Sequence, residues 1–358
     1  MHTKYFTFLL ALLLFLVGCS KNDDRISSNI SETMYFPENN TDTWETMSPA
    51  SLEWNENAIP VLNQYLIDNN TKSFMILVNG RIVMEEYYND HTATSSWQWN
   101  SAGKTLVTAT VGIAQQEGIL TIKNKVSDYL GTGWTSESII KENLITSKNL
   151  LSMTSGMDDS KNWVIKSNLT YVADAGTRWA YHNVFQKLMD VVAASSNQEF
   201  ESYFNTKIKD KIGMDGNWDD GIIFKIYHSN TRSMARFGLL SLNQGKWKKE
   251  QIVNESFFNE SINSSQDINP SYGYLWWLNG KTSYMLSGSQ TVNSGYLVPN
   301  APAEMYAAMG AQDQRIYIIP SKNIVIIRMG DSADPENRNA ALSNFDNYLW
   351  EKINDVIN

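Results

Sequence analysis

The sequence predicts an α+β fold in which strands from both ends of the chain form one antiparallel sheet and helices lie between them. β-rich runs occur near both ends, an Asn-Gly turn joins the first pair, and the middle of the chain has helical periodicity. The 358 residues are 42% hydrophobic and 12% aromatic, which is enough apolar material for a large core and excludes a disordered or low-complexity chain.

The first predicted element is a β-hairpin. Two β-rich runs, Ser73–Val78 and Ile82–Tyr88, are joined by Asn79-Gly80. An Asn-Gly pair is the strongest short hairpin signal because both residues tolerate positive φ. The same chemistry predicts a second hairpin over Tyr274–Leu278, Asn279-Gly280 and Lys281–Met285, and further strands are expected at Met305–Ala308, Arg315–Ile319 and Asn323–Arg328.

The middle of the chain predicts helices. Lys104–Glu117 carries apolar residues at helical spacing and stops before Gly118, which is typical of a helix end. We therefore expect a helical insertion over about residues 119–270, between the two sets of strands. Further helices are predicted at Ser147–Thr154, Asn183–Ala194, Phe200–Ile212, Thr231–Asn243 and Asn337–Ile357.

The first 18 residues are typical of a bacterial signal peptide. Lys4 precedes an apolar stretch, Phe6–Val17. A helix of twelve residues spans about 18 Å, too short for a hydrocarbon core of about 30 Å. The ending Leu16-Val17-Gly18-Cys19 resembles the lipobox of bacterial lipoproteins, which implies cleavage before Cys19 and lipid attachment there. An ordinary signal peptide with an incidental cysteine is the alternative.

The single cysteine excludes an internal disulfide, a cysteine-rich metal site and a two-thiol redox centre. Residues 19–45 are rich in Ser, Asn, Asp and Glu and predict a flexible tether, which places the folded domain at residues 46–358. Asp23 and Asp24 resemble a surface-export signal of some Gram-negative lipoproteins. We therefore expect a lipid-anchored protein of the bacterial cell envelope, at the periplasmic or outer-membrane face, with surface exposure left open.

The charge and histidine content exclude further classes. A net charge of −9 argues against binding to nucleic acid, which requires a basic surface. After the leader the histidines are His91, His182 and His228, so a histidine-rich metal site is not expected. The sequence has no Gly-x-Ser-x-Gly, His-Glu-x-x-His, phosphate-binding or dinucleotide-binding motif. No metal or cofactor is predicted.

Ser101 and Lys104 form the candidate catalytic pair. Their spacing at the start of a helix puts both side chains on one face, where the helix N-terminus stabilises negative charge on the serine oxygen. A lysine whose pKa is lowered by desolvation and a neighbouring cation can accept the serine proton, so no histidine is needed. The same spacing occurs at Ser138–Lys141, in a polar stretch that indicates solvated helix surface.

The second candidate element is Tyr181-His182-Asn183. A tyrosine beside a Ser-Lys pair can carry the proton from the nucleophile to the leaving group. The Asn183 amide can hold the lysine or a substrate carbonyl. A similar triplet, Tyr203-Phe204-Asn205, lies in an amphipathic run and indicates core packing.

Further motifs follow in order: Ile145–Met157, Ala175–Asn183, Ile212–Met214, Met234–Gly238, Tyr272–Trp277 and Gly310–Pro320. With Ser101–Lys104 they resemble the serine β-lactamase-related superfamily, which includes class C β-lactamases, D-alanyl-D-alanine carboxypeptidases, family VIII esterases and 6-aminohexanoate-dimer hydrolases. The resemblance covers about Trp54 to Trp350 and implies an α/β sandwich of the β-lactamase/transpeptidase type. It implies that Ser101 is the acylated nucleophile and Lys104 its base. It also implies that Tyr181 is the proton shuttle and that Asn183 assists.

The third family motif differs here. Where many relatives have Lys-Thr-Gly or His-x-Gly, this chain has Ala308–Gln314, which is similar to the Gly-x-x-x-Gln form of the 6-aminohexanoate-dimer-hydrolase-like branch. The resemblance implies substrate or support roles for Gly310 and Gln314. It also implies that the Ala311 N–H pairs with that of Ser101 as an oxyanion hole.

The missing cation of Lys-Thr-Gly favours a neutral ester or amide over a β-lactam or peptide carboxylate as the substrate. β-Lactamase or D-alanyl-D-alanine carboxypeptidase activity remains an alternative, as does a non-catalytic lipoprotein that binds a peptide or glycan. A glycosidase has only the 38 acidic residues in its favour. The expected partners are a small ester, amide or peptide-like substrate and a membrane. Trp163, Trp179, Trp276 and Trp277 are expected either to form aromatic walls around the substrate or, at least as readily, to pack in the core.

Overall fold

The computed structural model describes residues 33–39, 41–220, 224–334, 336 and 342–358. The predicted signal peptide, the lipid attachment at Cys19 and the export signal at Asp23 and Asp24 lie outside these ranges. In the described part of the chain, no helix combines the length and apolar character needed to cross a bilayer.

The described strands are β1 (Thr71–Val78), β2 (Arg81–Tyr87), β3 (Trp97–Gln98), β4 (Asn217–Asp220), β5 (Lys225–Ser229), β6 (Lys246–Trp247), β7 (Glu250–Gln251), β8 (Trp277–Leu278), β9 (Ser283–Met285), β10 (Val292–Ser294), β11 (Tyr306–Gly310), β12 (Gln314–Ile319) and β13 (Ile324–Gly330). The α-helices are α1 (Ile59–Asp68), α2 (Lys104–Gln116), α3 (Ser127–Leu130), α4 (Ile139–Glu142), α5 (Ser147–Leu151), α6 (Lys187–Ser196), α7 (Phe200–Phe204), α8 (Asp210–Ile212), α9 (Thr231–Leu242), α10 (Glu255–Ser261) and α11 (Asn344–Ile357). Short 3₁₀ turns lie at Pro49–Leu52, Glu56–Ala58, Asn100–Gly103, Lys166–Asn168, Asn183–Gln186, Ala311–Asp313 and Pro320–Lys322, and Asn205–Lys209 is π-helical.

The central sheet joins the two ends of the chain. Its order is β2-β1-β13-β12-β11-β8, and every neighbouring pair is antiparallel. At its centre Ile76 of β1 lies opposite Met84 of β2 and Ile326 of β13. The predicted α+β fold with one antiparallel sheet built from both chain ends is therefore confirmed.

Helices cover both faces of this sheet. Ile316 of β12 and Val325 of β13 pack closely against Gly238 of α9. A Cβ added to Gly238 would lie 3.2 Å from Ile316 and 2.5 Å from Val325. The next residue along β12, Tyr317, stacks edge-on against Trp350 of α11 at 5.5 Å. Because successive strand residues point to opposite faces, α9 and α11 lie on opposite sides of the sheet. Both faces are therefore buried, which agrees with the burial of every residue of β13.

The first predicted hairpin is present, but the second is wrong. Asn79 and Gly80 have φ of 48° and 80° and connect β1 to β2. At the second site β8 pairs with β11, whereas β9 pairs with β10. The physical reason is the Asn279 side chain, whose amide donates to the carbonyls of Val298 and Pro302 at 3.0 Å each. These distant partners hold Asn279 in a loop that does not bring β9 back alongside β8.

The N-terminal part of the domain begins earlier than predicted. Residues 33–39 and 41–45, assigned above to the tether, lie against the domain. Trp44 is buried and its Nε1 donates to Gly80 O at 2.7 Å. Phe36 packs edge-on against Trp247 at 5.0 Å. The packed domain therefore includes Thr33 onward, because a few aromatic side chains anchor an otherwise polar segment.

A small three-stranded sheet places the candidate nucleophile. Its order is β3-β5-β4, and the Trp99 N–H after β3 donates to Tyr227 O of β5 at 2.8 Å. The Trp99 indole also donates to Ser229 Oγ at 2.8 Å. This anchored tryptophan leads directly into the Asn100–Gly103 turn and α2.

Candidate active site

Ser101 and Lys104 are brought together as the spacing predicts. Ser101 lies in the 3₁₀ turn that opens α2, and Lys104 is the first residue of that helix. Lys104 Nζ donates to Ser101 Oγ at 2.7 Å. The pair thus has the geometry for proton transfer from the hydroxyl to the amine.

Aromatic rings enclose the Lys104 amine. The residue is only 2% exposed, and its Nζ lies 4.5 Å from the ring centre of Phe185, 4.8 Å from that of Tyr181 and 5.1 Å from that of Phe224. Burial lowers the pKa of Lys104 to about 7. The expected desolvation is present, and no neighbouring cation contributes to the shift. A substantial share of Lys104 is therefore neutral near pH 7 and able to accept a proton.

Tyr181 joins the pair from the segment before the Asn183–Gln186 turn. Burial raises the pKa of Tyr181 well above its usual value, and the neighbouring Ser101 hydroxyl lowers it by less. Tyr181 therefore stays protonated at neutral pH. Its ring stacks on Trp277 at 5.7 Å and meets Tyr272 at 6.1 Å, so a buried aromatic cluster sets its orientation.

Of the two roles expected for the four tryptophans, substrate walls or core packing, three of them have the second. Trp179, Trp276 and Trp277 are at most 1% exposed, so they belong to the core behind the site. Trp163 is 50% exposed and is the one of the four that a substrate can reach without rearrangement.

The neighbours of Tyr181 point elsewhere. The Asn183 side chain donates to Asn162 O at 3.1 Å, and the described contacts include none to Ser101 or Lys104. His182 is buried with its Nε2 3.0 Å from Lys161 O, and burial lowers its pKa. These bonds hold the loop around residues 161–162 against the Tyr181 segment.

The end of β11 approaches the nucleophile closely. A Cβ on Gly310 would lie 2.4 Å from Trp99 O and 3.0 Å from Ser101 N, so only glycine fits there. The hydrogen bonds described for this region leave the N–H groups of Ser101 and Ala311 without a protein acceptor. Both are therefore available to an oxyanion beside Ser101.

The hydrogen bonds of Gln314 argue against contact with a substrate and leave the support role predicted for it. Its side chain is fully buried, and its amide donates to Gln312 O at 2.8 Å and to Gly330 O at 2.6 Å. Its oxygen accepts from the Gly330 N–H at 3.1 Å. The amide is therefore used within the protein. Gln312, which the sequence analysis passed over, instead pairs with Gln98 at 2.7 Å beside the serine segment.

The residues that sequence reasoning missed share one property. Phe185, Phe224 and the Gln98–Asn100 stretch reach the site from three separate segments, and no motif marks Phe185, Phe224 or Gln98. For Asn100 a signal existed, since asparagine tolerates its left-handed φ of 48°. Among the described residues, no group of three or more His, Cys, Asp or Glu side chains could hold a metal ion.

The chain is similar to a known protein family and to a protein of known sequence. Residues 67–218, less than half of the chain, match the β-lactamase family. An uncharacterized protein of Alkalihalophilus pseudofirmus is 25% identical over 315 residues, which cover 76% of this chain and 88% of that protein.

Solved structures share the fold at low identity. A candidate 6-aminohexanoate-dimer hydrolase from Bacillus anthracis is 18% identical with a TM-score of 0.63, covering 82% of this chain and 80% of that one. A β-lactamase from Mycobacterium bovis is 17% identical with a TM-score of 0.59, covering 83% and 97%. A D-stereospecific amidohydrolase from Streptomyces is 12% identical with a TM-score of 0.59, covering 79% and 97%.

These matches establish the fold as that of the β-lactamase/transpeptidase type. The family match and the solved structures agree on this fold. At such identities they do not transfer a substrate to this chain.

Proposed function

We propose that this protein is a serine hydrolase that cleaves an ester or amide bond through an acyl-enzyme on Ser101. The observation that carries the proposal is the 2.7 Å hydrogen bond from Lys104 Nζ to Ser101 Oγ. Burial lowers the pKa of this lysine to about 7, so a substantial share of it is neutral near pH 7. A serine is a weak nucleophile unless an adjacent base accepts its proton, and this lysine meets that requirement.

The proposed acylation follows from the positions of these groups. Neutral Lys104 takes the Ser101 proton as Oγ attacks the substrate carbonyl carbon. The N–H groups of Ser101 and Ala311 stabilise the negative charge that develops on the carbonyl oxygen. Tyr181, still protonated, donates to the leaving alkoxide or amine and is reprotonated from Lys104. The carbonyl carbon–leaving group bond breaks, and the acyl group remains on Oγ.

Deacylation uses the same groups in reverse roles. A water molecule attacks the acyl carbon and gives its proton to neutral Lys104, which later returns it to Ser101 Oγ. The same N–H groups stabilise the second tetrahedral intermediate, and Ser101 Oγ recovers a proton as it leaves.

The electrostatics around the nucleophile favour a neutral substrate. The side chains that surround the serine turn are amides and aromatic rings, among them Gln98, Asn100 and Phe224. The nearby Arg315 is buried behind β11 and paired with Asp346, so it is not offered to a substrate carboxylate. We therefore place an ester or linear amide ahead of a β-lactam or a carboxylate-bearing peptide. The alternatives remain β-lactamase and D-alanyl-D-alanine carboxypeptidase.

A fluorophosphonate probe tests the nucleophile directly. We expect it to label the wild-type domain, to leave Ser101→Ala unlabelled and to label Ser138→Ala as strongly as wild type. Equal labelling of wild type and Ser101→Ala, or none of either, would refute the proposed nucleophile and favour a binding-only role. Turnover of short acyl esters, linear amides and nitrocefin by the labelled protein then ranks the substrate classes.

The lipid anchor is a separate proposal. The Leu-Val-Gly-Cys ending supports acylation of Cys19 and a place in the cell envelope. Cells that express the full chain and are fed an alkyne fatty acid should yield labelled wild type and unlabelled Cys19→Ser. Label that persists in Cys19→Ser would refute the anchor without bearing on Ser101.

A further inference from the structure

The turn that follows β11 has an unusual backbone. Gln312 has φ 59° and ψ 30°, and the next residue, Asp313, has φ 57°. Two consecutive left-handed residues without glycine are unfavourable, so the surroundings must hold them in place. This turn contains the Ala311 N–H to which the mechanism assigns the oxyanion.

Side chains bind every carbonyl of the turn. Asn100 Nδ2 donates to Ala311 O at 2.9 Å, which ties the turn to the residue just before the nucleophile. Arg315 Nη1 donates to Gly310 O at 2.7 Å. Arg328 Nη1 donates to Gln312 O at 2.9 Å and to Asp313 O at 3.1 Å.

The bond to Gly310 O also sets the direction of the Ala311 N–H. The peptide between these residues is planar and trans, so its C=O and N–H point in opposite directions. Arg315 fixes the C=O from one side, which turns the N–H to the other. Asn100 fixes the next peptide plane in the same way.

The donors are themselves held rigidly. Arg315 is fully buried and donates to Asp346 through Nε at 2.5 Å and Nη2 at 2.9 Å, and to Asp313 at 2.8 Å. Arg328 is fully buried and spends its remaining donors on Thr71, Asn69 O and Asp331 O. A network with this many bonds specifies one arrangement of the turn.

We propose that Asn100 and Arg315 are positioning residues that aim the Ala311 N–H at the oxyanion by fixing the two peptide planes around it. This inference rests on the proposed function, since it concerns the same reaction. It explains how a site without a Lys-Thr-Gly strand keeps the required backbone geometry. Neither residue is expected to contact the substrate.

The test compares Asn100→Gly with Asn323→Gly. Both replace an asparagine at positive φ, where glycine is tolerated, but Asn323 lies in a distant turn. We expect Asn100→Gly to lower kcat on an activated ester by about 10- to 100-fold with KM within about threefold, because misaiming one oxyanion donor weakens transition-state binding alone. The pH midpoint of its activity should not move, because Lys104 is untouched. Asn323→Gly should behave as wild type.

A second variant keeps the inference testable through Arg315. In Arg315→Lys the charge stays beside Asp346, but one ammonium cannot also reach Gly310 O. This single variant is therefore expected to have a lower kcat than wild type and an unchanged KM. Thermal melts of all three variants check folding. If Arg315→Lys does not fold, Asn100→Gly decides alone. A normal kcat in Asn100→Gly, or a rise in KM without a fall in kcat, overturns the inference. Failure of wild type to react with the fluorophosphonate would instead overturn the proposed function.

Discussion

Ser101–Lys104 and Ser138–Lys141 share a sequence pattern and a position at the start of a helix, yet their surroundings are opposite. Lys104 is 2% exposed, donates to its serine and has a pKa that burial lowers to about 7. The Lys141 side chain is 35% exposed and pairs with Asp174 at 2.5 Å, and this hydrogen bond raises its pKa. Ser138 is exposed and occupies the N-cap position of α4, where its side chain makes no capping hydrogen bond.

The aromatic neighbours sharpen the contrast. Tyr181 lies beside Lys104, with its ring centre 4.8 Å from Nζ, and the Ser101 hydroxyl neighbours its own. Tyr171 lies beside Lys141, with its ring centre 5.1 Å from Nζ, and its hydroxyl donates to Asp174 at 3.0 Å. Each pair thus has a lysine and a tyrosine, but in the second pair a carboxylate binds both. Spacing alone does not produce a base. A lysine becomes a base when burial removes water from its amine and no carboxylate lies beside it to stabilise the protonated form.

The largest expected effect separates the two lysines. Lys104→Met should lower kcat/KM by about 10³-fold, because general base catalysis is lost while a side chain of similar length fills the space. Lys141→Met should stay within twofold of wild type. Initial rates on one activated ester measure both.

Two outcomes would break this comparison. Activity of Lys104→Met near that of wild type would mean that another group accepts the serine proton. A large loss in Lys141→Met, with normal folding by circular dichroism, would mean that the second pair takes part in catalysis.

A smaller effect is expected for the two tyrosines. Tyr181→Phe should lower kcat by about 10²-fold, since proton delivery to the leaving group is lost and the ring packing on Trp277 is kept. Tyr171→Phe loses only a surface hydrogen bond to Asp174 and should leave kcat unchanged. Substrates with a good leaving group, which need little protonation, should narrow the gap. A constant deficit across leaving groups would contradict the shuttle role.

Local patterns predicted much of this molecule. The first hairpin, the strands β11 to β13 and the start of α2 follow from alternation, turn residues and periodicity, all of which act within a few residues. The Ser101–Lys104 contact was predictable for the same reason, because three residues of helix bring both side chains together.

Long-range contacts explain what was missed. Asn279 reads as a hairpin turn, but its amide binds carbonyls about twenty residues away. Gln314 reads as a residue that contacts substrate or supports the site, but its buried amide binds Gly330, 16 residues away. The segment from Thr33 to Glu45 reads as a tether, but Trp44 packs on the first hairpin. In each case a partner remote in sequence decided the conformation.

The enclosure of Lys104 could not be predicted either, because Phe185 and Phe224 come from different segments of the chain. This enclosure predicts how activity depends on pH. Tyr181 is the titratable group that faces the amine, while the nearby Lys225 and His228 of β5 face Asp220 and Asp219. Protonated Lys104 cannot act as a base, so wild-type kcat/KM should fall about tenfold per pH unit below about 7.

Phe224→Ala should move Lys104 toward the condition of Lys141. Water then reaches Nζ and raises its pKa. Loss of one cation–π contact, worth about 0.5–2 kcal/mol, opposes this but is smaller than the several kcal/mol that burying an ammonium costs. We expect the midpoint of the pH–rate profile to rise by about one unit, equivalent to about 1.4 kcal/mol. Phe224→Leu keeps the apolar cover without the π face and should leave the midpoint near its wild-type value. A midpoint that does not move in Phe224→Ala would show that exclusion of water by this ring is not what keeps Lys104 neutral. An equal fall of the midpoint in both variants would show that loss of the cation–π contact outweighs the entry of water.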